Sequence, residues 1–141
     1  MYFDVVQVPF LQAVLGSFKI VPLLVHDVDP EQAADALLPL IDESTVVIAS
    51  SDLSHYHSSA EAKAIDKKTI DAILAGDVNG DIDACGEMPI RVVMALAKKL
   101  GLSPVLLDAR NSFETAPRYG SEDRVVGYAS IAYVQKPAGK K

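Results

Sequence analysis

Two short runs, Phe18-Lys19-Ile20-Val21-Pro22-Leu23-Leu24-Val25 and Thr45-Val46-Val47-Ile48-Ala49, are apolar at nearly every position and show no alternation that would leave one face to water. Continuous runs of this length belong to strands covered on both faces, the habit of parallel sheets. Between them, Asp29 is placed to cap and Pro30 to open a helix that reaches Ile41, with Ala33, Ala34, Leu37, Leu38 and Ile41 on one stripe. Strand, helix and strand in that order predict a right-handed crossover unit. Pro22 lacks a ladder donor, which puts the first strand near an edge or at a bulge.

The remaining pattern extends this layered scheme. A short helix is expected over Pro9 to Leu15, ahead of the first strand. Ser58 or Ser59 caps a helix that runs to about Ala75, with Gly76 at its stop. A polar connector, Asp77 to Gly86, leads to a helix over Pro89 to Leu100, ended by Gly101. Strands follow over Pro104 to Ala109 and Arg124 to Val134. Between them, Arg110 to Asp123 form a 14-residue loop, a length more often functional than idle. The expected fold is an α/β layered domain with a mainly parallel or mixed sheet of about four strands flanked by helices, occupying 1–135 as one domain with a tail at 136–141. In open sheets of that kind ligands sit beyond the carboxyl ends of the strands, which directs attention to the segments after Val25, Ala49 and Ala109.

Composition removes several classes. With 13 basic and 19 acidic residues the net charge is −6, and the one basic cluster lies in the tail, so no cationic face is offered to nucleic acid. One cysteine excludes an internal disulfide. The longest apolar stretches fall far short of the ~20 residues needed to span a bilayer, and the N-terminus lacks a leader pattern, so a soluble, cytoplasmic chain without membrane partners is expected. Asp77 to Met88 begins like a calcium loop, but Ile82 replaces the required glycine and Met88 the bidentate acid. Glycine-rich nucleotide loops and the Gly-x-Ser-x-Gly elbow are absent.

The richest chemistry follows the second strand: Ser50-Ser51-Asp52-Leu53-Ser54-His55-Tyr56-His57. Two hydroxyls, a carboxylate and two imidazoles there suit metal binding or proton exchange near neutral pH; they equally suit a polar turn capping the next helix. Cys85 precedes the Pro89 helix, where a helix dipole favours a thiolate, although a lone cysteine also serves as a small buried apolar residue. His26, after the first strand, falls on the same rim as His55 and reads either as a third imidazole of a site or as a surface histidine.

Taken together, Gln7-Val8-Pro9-Phe10-Leu11, the strand Phe18 to Val25, Ser50 to Tyr56, Cys85-Gly86-Glu87-Met88-Pro89-Ile90 and Val125-Val126-Gly127-Tyr128-Ala129 resemble the Memo family in its prokaryotic form, often named the B component of the AmmeMemoRadiSam system. Memo proteins are similar to class III extradiol dioxygenases of the LigB type, which use non-haem iron in an α/β fold. The resemblance implies a metal site to which Cys85 contributes a thiolate, with Asp52 and His55 lining the same pocket; His57, His26 and Ser51 remain pocket candidates from position alone. It also implies a difference. Family members are about twice as long, and two further metal-binding histidines come from their N-terminal half, the nearer in a segment where this chain has Tyr2. The chain therefore looks like the C-terminal half of a Memo protein. A half-fold exposes strand edges and apolar helix faces, so a homo-oligomer or a complex with an N-terminal-half partner is expected.

Three functions follow. In the first, Cys85 and His55 ligate iron or copper, with zinc also suited to this donor set, while Asp52 and His55 serve the chemistry of a redox site acting on a small-molecule substrate. In the second, the chain is a non-catalytic protein- or peptide-binding module that keeps the pocket without the chemistry. In the third, Cys85 is the nucleophile of a hydrolase paired with His55 or His57.

Overall fold

The computed structural model describes residues 3–135; Tyr2 and the expected tail at 136–141 lie outside the described residues. Helix α1 (Phe3–Val14) starts earlier than the sequence signals suggest and continues through Pro9. An interior proline removes a single backbone hydrogen bond, which weakens a helix without obliging it to stop there. Helix α2 (Pro30–Leu37) begins where the Asp-Pro pair predicts, with Asp29 accepting the Gln32 N–H at 2.8 Å, and ends in a tighter turn, Leu38–Leu40. Helix α3 (Ser59–Ala75) carries a reciprocal cap: Ser58 Oγ accepts the Glu61 N–H, and the Glu61 carboxylate accepts the Ser58 N–H. It stops on Gly76, left-handed at φ 71, a conformation a Cβ would penalise. Helix α4 (Glu87–Lys99) ends on Lys98 and Lys99, whose charges complement its dipole.

The strands are β1 (His55–His57), β2 (Leu102–Asn111) and β3 (Val125–Gln135), with a one-turn helix α5 (Ser112–Thr115) after β2. Their order is β1-β3-β2 and both pairings are antiparallel. Pro104 lies on the edge strand β2, opposite Tyr133, where a missing donor is tolerated. Helix α3 packs on β2 and β3, while α4 packs on α2 and β2. The architecture is the expected α/β layering, with three antiparallel strands among the described residues in place of about four parallel or mixed ones.

The difference traces to the two apolar runs. Residues 18–25 and 45–49 lie outside any ladder, so the predicted crossover unit is not assembled. Their side chains face solvent: Val21 is 80% exposed, Leu24 98% and Val46 76%. A strand apolar on both faces is stable only with sheet neighbours and covering layers on both sides, and sequence supplies the propensity without the neighbours.

Burial is concentrated elsewhere. Ala34, Ala95 and Leu96 join α2 to α4, with Leu38 and Ile41 against them. Ile73, Ile82 and Met94 form a second cluster between α3, the connector and α4, which Ile131 and Tyr133 of β3 cover. Among the described residues no helix is long and apolar enough to cross a membrane.

Candidate metal centre

The segment after Ala49 is fixed to β3 before β1 begins. The Leu53 N–H donates to the Gly127 carbonyl at 2.9 Å, and the Gly127 N–H donates to the Ser54 carbonyl at 2.8 Å. From α3, Asp66 accepts the buried Ser54 N–H at 2.9 Å. Gly127 leaves room for that carboxylate, since a Cβ there would lie 1.9 Å from Asp66 Oδ2. One glycine thus lets helix and strand approach closely enough to hold residues 52–54 from both sides.

Beyond this clamp β1 is irregular. His55 faces Val126 and His57 faces Val125, with Tyr56 inserted between them at φ 65. A bulky residue in that region carries strain on the order of 1–3 kcal/mol, the kind of outlier that clusters at ligand sites. The Arg124 guanidinium sits 4.8 Å from the centroid of the Tyr56 ring and holds it from outside. His55, next to this bulge, places Nε2 3.7 Å from Asp52 Oδ2.

Cys85 reaches the same place from the connector between α3 and α4. The Cys85 N–H donates to the Asp52 carbonyl at 3.2 Å, and the Asp52 N–H donates to Cys85 Sγ at 3.2 Å. The Gly86 N–H donates to Ser51 Oγ at 2.7 Å, and that hydroxyl donates onward to the Asp52 carbonyl at 2.7 Å. A Cβ on Gly86 would lie 2.7 Å from the Ser51 Cβ, so the pairing depends on glycine at that position. As a result, ligand atoms of Asp52, His55 and Cys85 all lie within 4.8 Å of one another. Asp52 and His55 are about one-third exposed and Cys85 is an exposed free thiol, so the cluster opens to solvent.

Donors sharing a metal at about 2.0–2.3 Å each stand roughly 3–4 Å apart. The 3.7 Å separation of His55 from Asp52 is too long for a hydrogen bond and suited to a shared cation. Tyr128, on β3, belongs to the surroundings: burial pushes its phenol above the ordinary range, and the Asp52 charge adds to the effect.

Asp52, His55, Cys85 and Ser51, all candidates from the sequence, are brought together here. His57 stands past the bulge near Glu61, whose carboxyl is held below its usual range by the Ser58 hydroxyl and N–H, with a smaller contribution from His57. His26 is exposed and outside the cluster. The hydrogen-bond partners of the Cys85 sulfur are Asp52 and Ser51; the His55 imidazole lies within 4.8 Å of it but makes no hydrogen bond to it, and His57 is not part of the cluster. In the segment after Ala109, Arg110 pairs with Asp108, Asn111 caps α5, and Ser112 Oγ accepts the N–H of Val126, the residue that faces His55. Asp66 and Gly127 support the site without having been singled out as its members. A signal for the first was available, because Asp66 falls on the buried stripe of α3 with Ala62, Thr69, Ile70 and Ile73.

A mostly apolar cavity of about 520 Å³ adjoins the cluster at Ser51, with Val46, Ile48, Ile90, Leu96 and Tyr133 among its walls.

A family model described as Memo-like protein matches residues 5–132. A MEMO1 family protein of Methanosarcina mazei is 41% identical over 142 aligned residues, covering 89% of this chain and 52% of that protein. Those of Sulfolobus acidocaldarius and Archaeoglobus fulgidus are each 38% identical, covering 91% of this chain and 49% and 53% of their own lengths. The chain spans about half the length of the curated relatives it matches. With a family match along most of its residues and relatives this similar, the chain belongs to the Memo-like protein family.

Proposed function

We propose that this chain contributes Cys85 and His55 as ligands, with Asp52 beside them, to an iron or copper redox site of the kind its resemblance to LigB-type dioxygenases suggests. The observation that carries the reading is the meeting of a sulfur, an imidazole and a carboxylate within 4.8 Å, from segments 33 residues apart joined by one backbone hydrogen bond, Cys85 N–H to the Asp52 carbonyl, and one from the Asp52 N–H to the Cys85 sulfur. Thiolate with imidazole suits iron, copper or zinc and discriminates against magnesium and calcium. A redox metal held there would supply electron transfer from a small-molecule substrate, which is oxidised, to an oxidant such as dioxygen, which is reduced. The chain's own groups do the rest: the Asp52 amide and Ser51 hydroxyl locate the sulfur, the Tyr56 bulge sets the position of His55, and the Asp52 carboxylate is placed to accept a proton from a ligand bound in the opening. An exposed thiol must stay reduced to ligate, which fits a cytoplasmic setting.

Metal content after loading with ferrous iron or copper, compared for the wild type, Cys85→Ser and His55→Ala, tests this reading. Each substitution is expected to weaken retention by about tenfold or more while far-ultraviolet circular dichroism stays unchanged. Equal metal content in all three would remove the redox site and leave the binding-module reading in its place.

A further inference from the structure

Arg124 is a cation that the fold holds in place and leaves without a counter-charge. It closes a turn in which its own N–H donates to the Ser121 carbonyl at 3.3 Å, and that turn is anchored to the start of α3 by the Ser59 N–H, which donates to the Glu122 carbonyl at 2.8 Å. Among the described residues Lys63, Lys67, Arg91, Lys99 and Arg110 each pair with a carboxylate. No described carboxylate comes within ion-pair distance of Arg124, although Glu122 and Asp123 precede it in the chain. Its guanidinium lies instead 4.8 Å from the centroid of the Tyr56 ring. A guanidinium stacked on a ring uses its flat face, so its N–H edge stays available to the two oxygens of a carboxylate.

The platform beneath the guanidinium is not explained by packing. Tyr56 keeps φ 65 and is nevertheless 64% exposed, so burial does not offset the strain of its backbone. From the cluster outward the groups stand in a row. Asp52 Oδ2 is 3.7 Å from His55 Nε2, the His55 ring is 5.6 Å from the Tyr56 ring at an interplanar angle of 63°, and the guanidinium follows. Those steps together fall within the span of one small organic molecule.

We propose that Arg124, carried on the Tyr56 ring, binds the carboxylate of a small organic acid whose other end reaches the opening of the Asp52, His55 and Cys85 cluster. Two parallel N–H bonds from the guanidinium to the carboxylate fix the orientation of the acid as well as its position. The net charge of −6 disfavours anions over the molecule as a whole, so selection of an acid depends on this local cation and not on the overall field. A neutral ligand of the same shape gains nothing from it. The inference names the substrate class of the site proposed above and rests on that reading only at the metal end; the carboxylate end stands on Arg124 and Tyr56.

The test is titration of the intact chain with benzoate and with its neutral counterpart benzamide, following the ring NMR signals of Tyr56 and His55, first in chelator and then after loading with redox-silent zinc. Benzoate is expected to bind about tenfold or more tightly than benzamide in both states, since only it forms charge-assisted bonds. Arg124→Gln should remove that preference by weakening benzoate alone. Arg124→Lys, which keeps the charge and loses the fork, should fall between. Arg118→Gln takes the same charge from the same loop and should leave the preference intact, and circular dichroism should be the same for all variants. Equal affinity for the two probes in chelator, or no binding of benzoate, would overturn the inference whatever the metal content proves to be. So would a preference that survives Arg124→Gln or is lost equally in Arg118→Gln. A preference that depends on Arg124 in a chain that retains no metal would support the inference and remove the redox site alone.

Discussion

Gly127 is the residue on which the candidate site most depends without contributing a ligand atom. Its backbone bonds residues 53 and 54, and the space above its Cα is taken by the Asp66 carboxylate that holds Ser54. Gly127→Ala should therefore force helix and strand apart and cost about 2 kcal/mol, within the range for overpacking a closed site. Urea unfolding reads it as a lowered midpoint, and an unchanged midpoint would show that Asp66 is free to move aside. At this scale the residues themselves offered Asp52 and His55 as site candidates beside a plain polar turn, while Cys85 joined them as a ligand only through the family resemblance; the structure brings the three together. The sequence was silent on Gly127 and Asp66 as supports, because a glycine's role is defined by what approaches it, and the carboxylate that does so is 61 residues away.

Among the elements, α3 shows local signals acting as expected. Ser58→Ala removes the hydroxyl that receives the Glu61 N–H and should cost about 1 kcal/mol at neutral pH. The Glu61 carboxyl is held below its ordinary value of 4.5, chiefly by the Ser58 hydroxyl and then by the Ser58 N–H. A depressed carboxyl stabilises the fold above its unfolded pKa, and that contribution fades as the pH falls through the lowered folded value. The penalty of Ser58→Ala, followed by thermal melts from pH 7 into acid, should accordingly shrink below about pH 4.5. A penalty constant with pH would mean that the carboxylate contributes nothing to the cap. Caps were readable because donor, acceptor and stop residue lie within one turn of each other, as with Asp29 and Pro30 or Ser58 and Glu61. Strand direction was not, since the pairing of β3 with β2 depends on residues far apart in the chain. The runs 18–25 and 45–49 carry strand propensity with no partner here to realise it.

In the whole molecule, α4 is the shared member of both buried clusters: Ala95 and Leu96 face α2, and Met94 faces Ile73 and Ile82. Truncating Met94 to alanine should cost about 3 kcal/mol and lower the stability of both clusters together. Circular dichroism and hydrogen exchange at the amides of Leu96 and of position 94, one for each cluster, should then give one coincident urea transition. Two separated transitions would show that the clusters melt independently. The reciprocal hydrogen bonds between Asp52 and Cys85 have a further consequence. Because the sulfur that faces solvent is also the acceptor of the Asp52 amide, an oxidant that caps it disturbs that one tie between connector and rim, while the Cys85 N–H to Asp52 carbonyl and Gly86 N–H to Ser51 bonds stay in place. Oxidation would therefore loosen the carboxylate beside the thiol without releasing the connector.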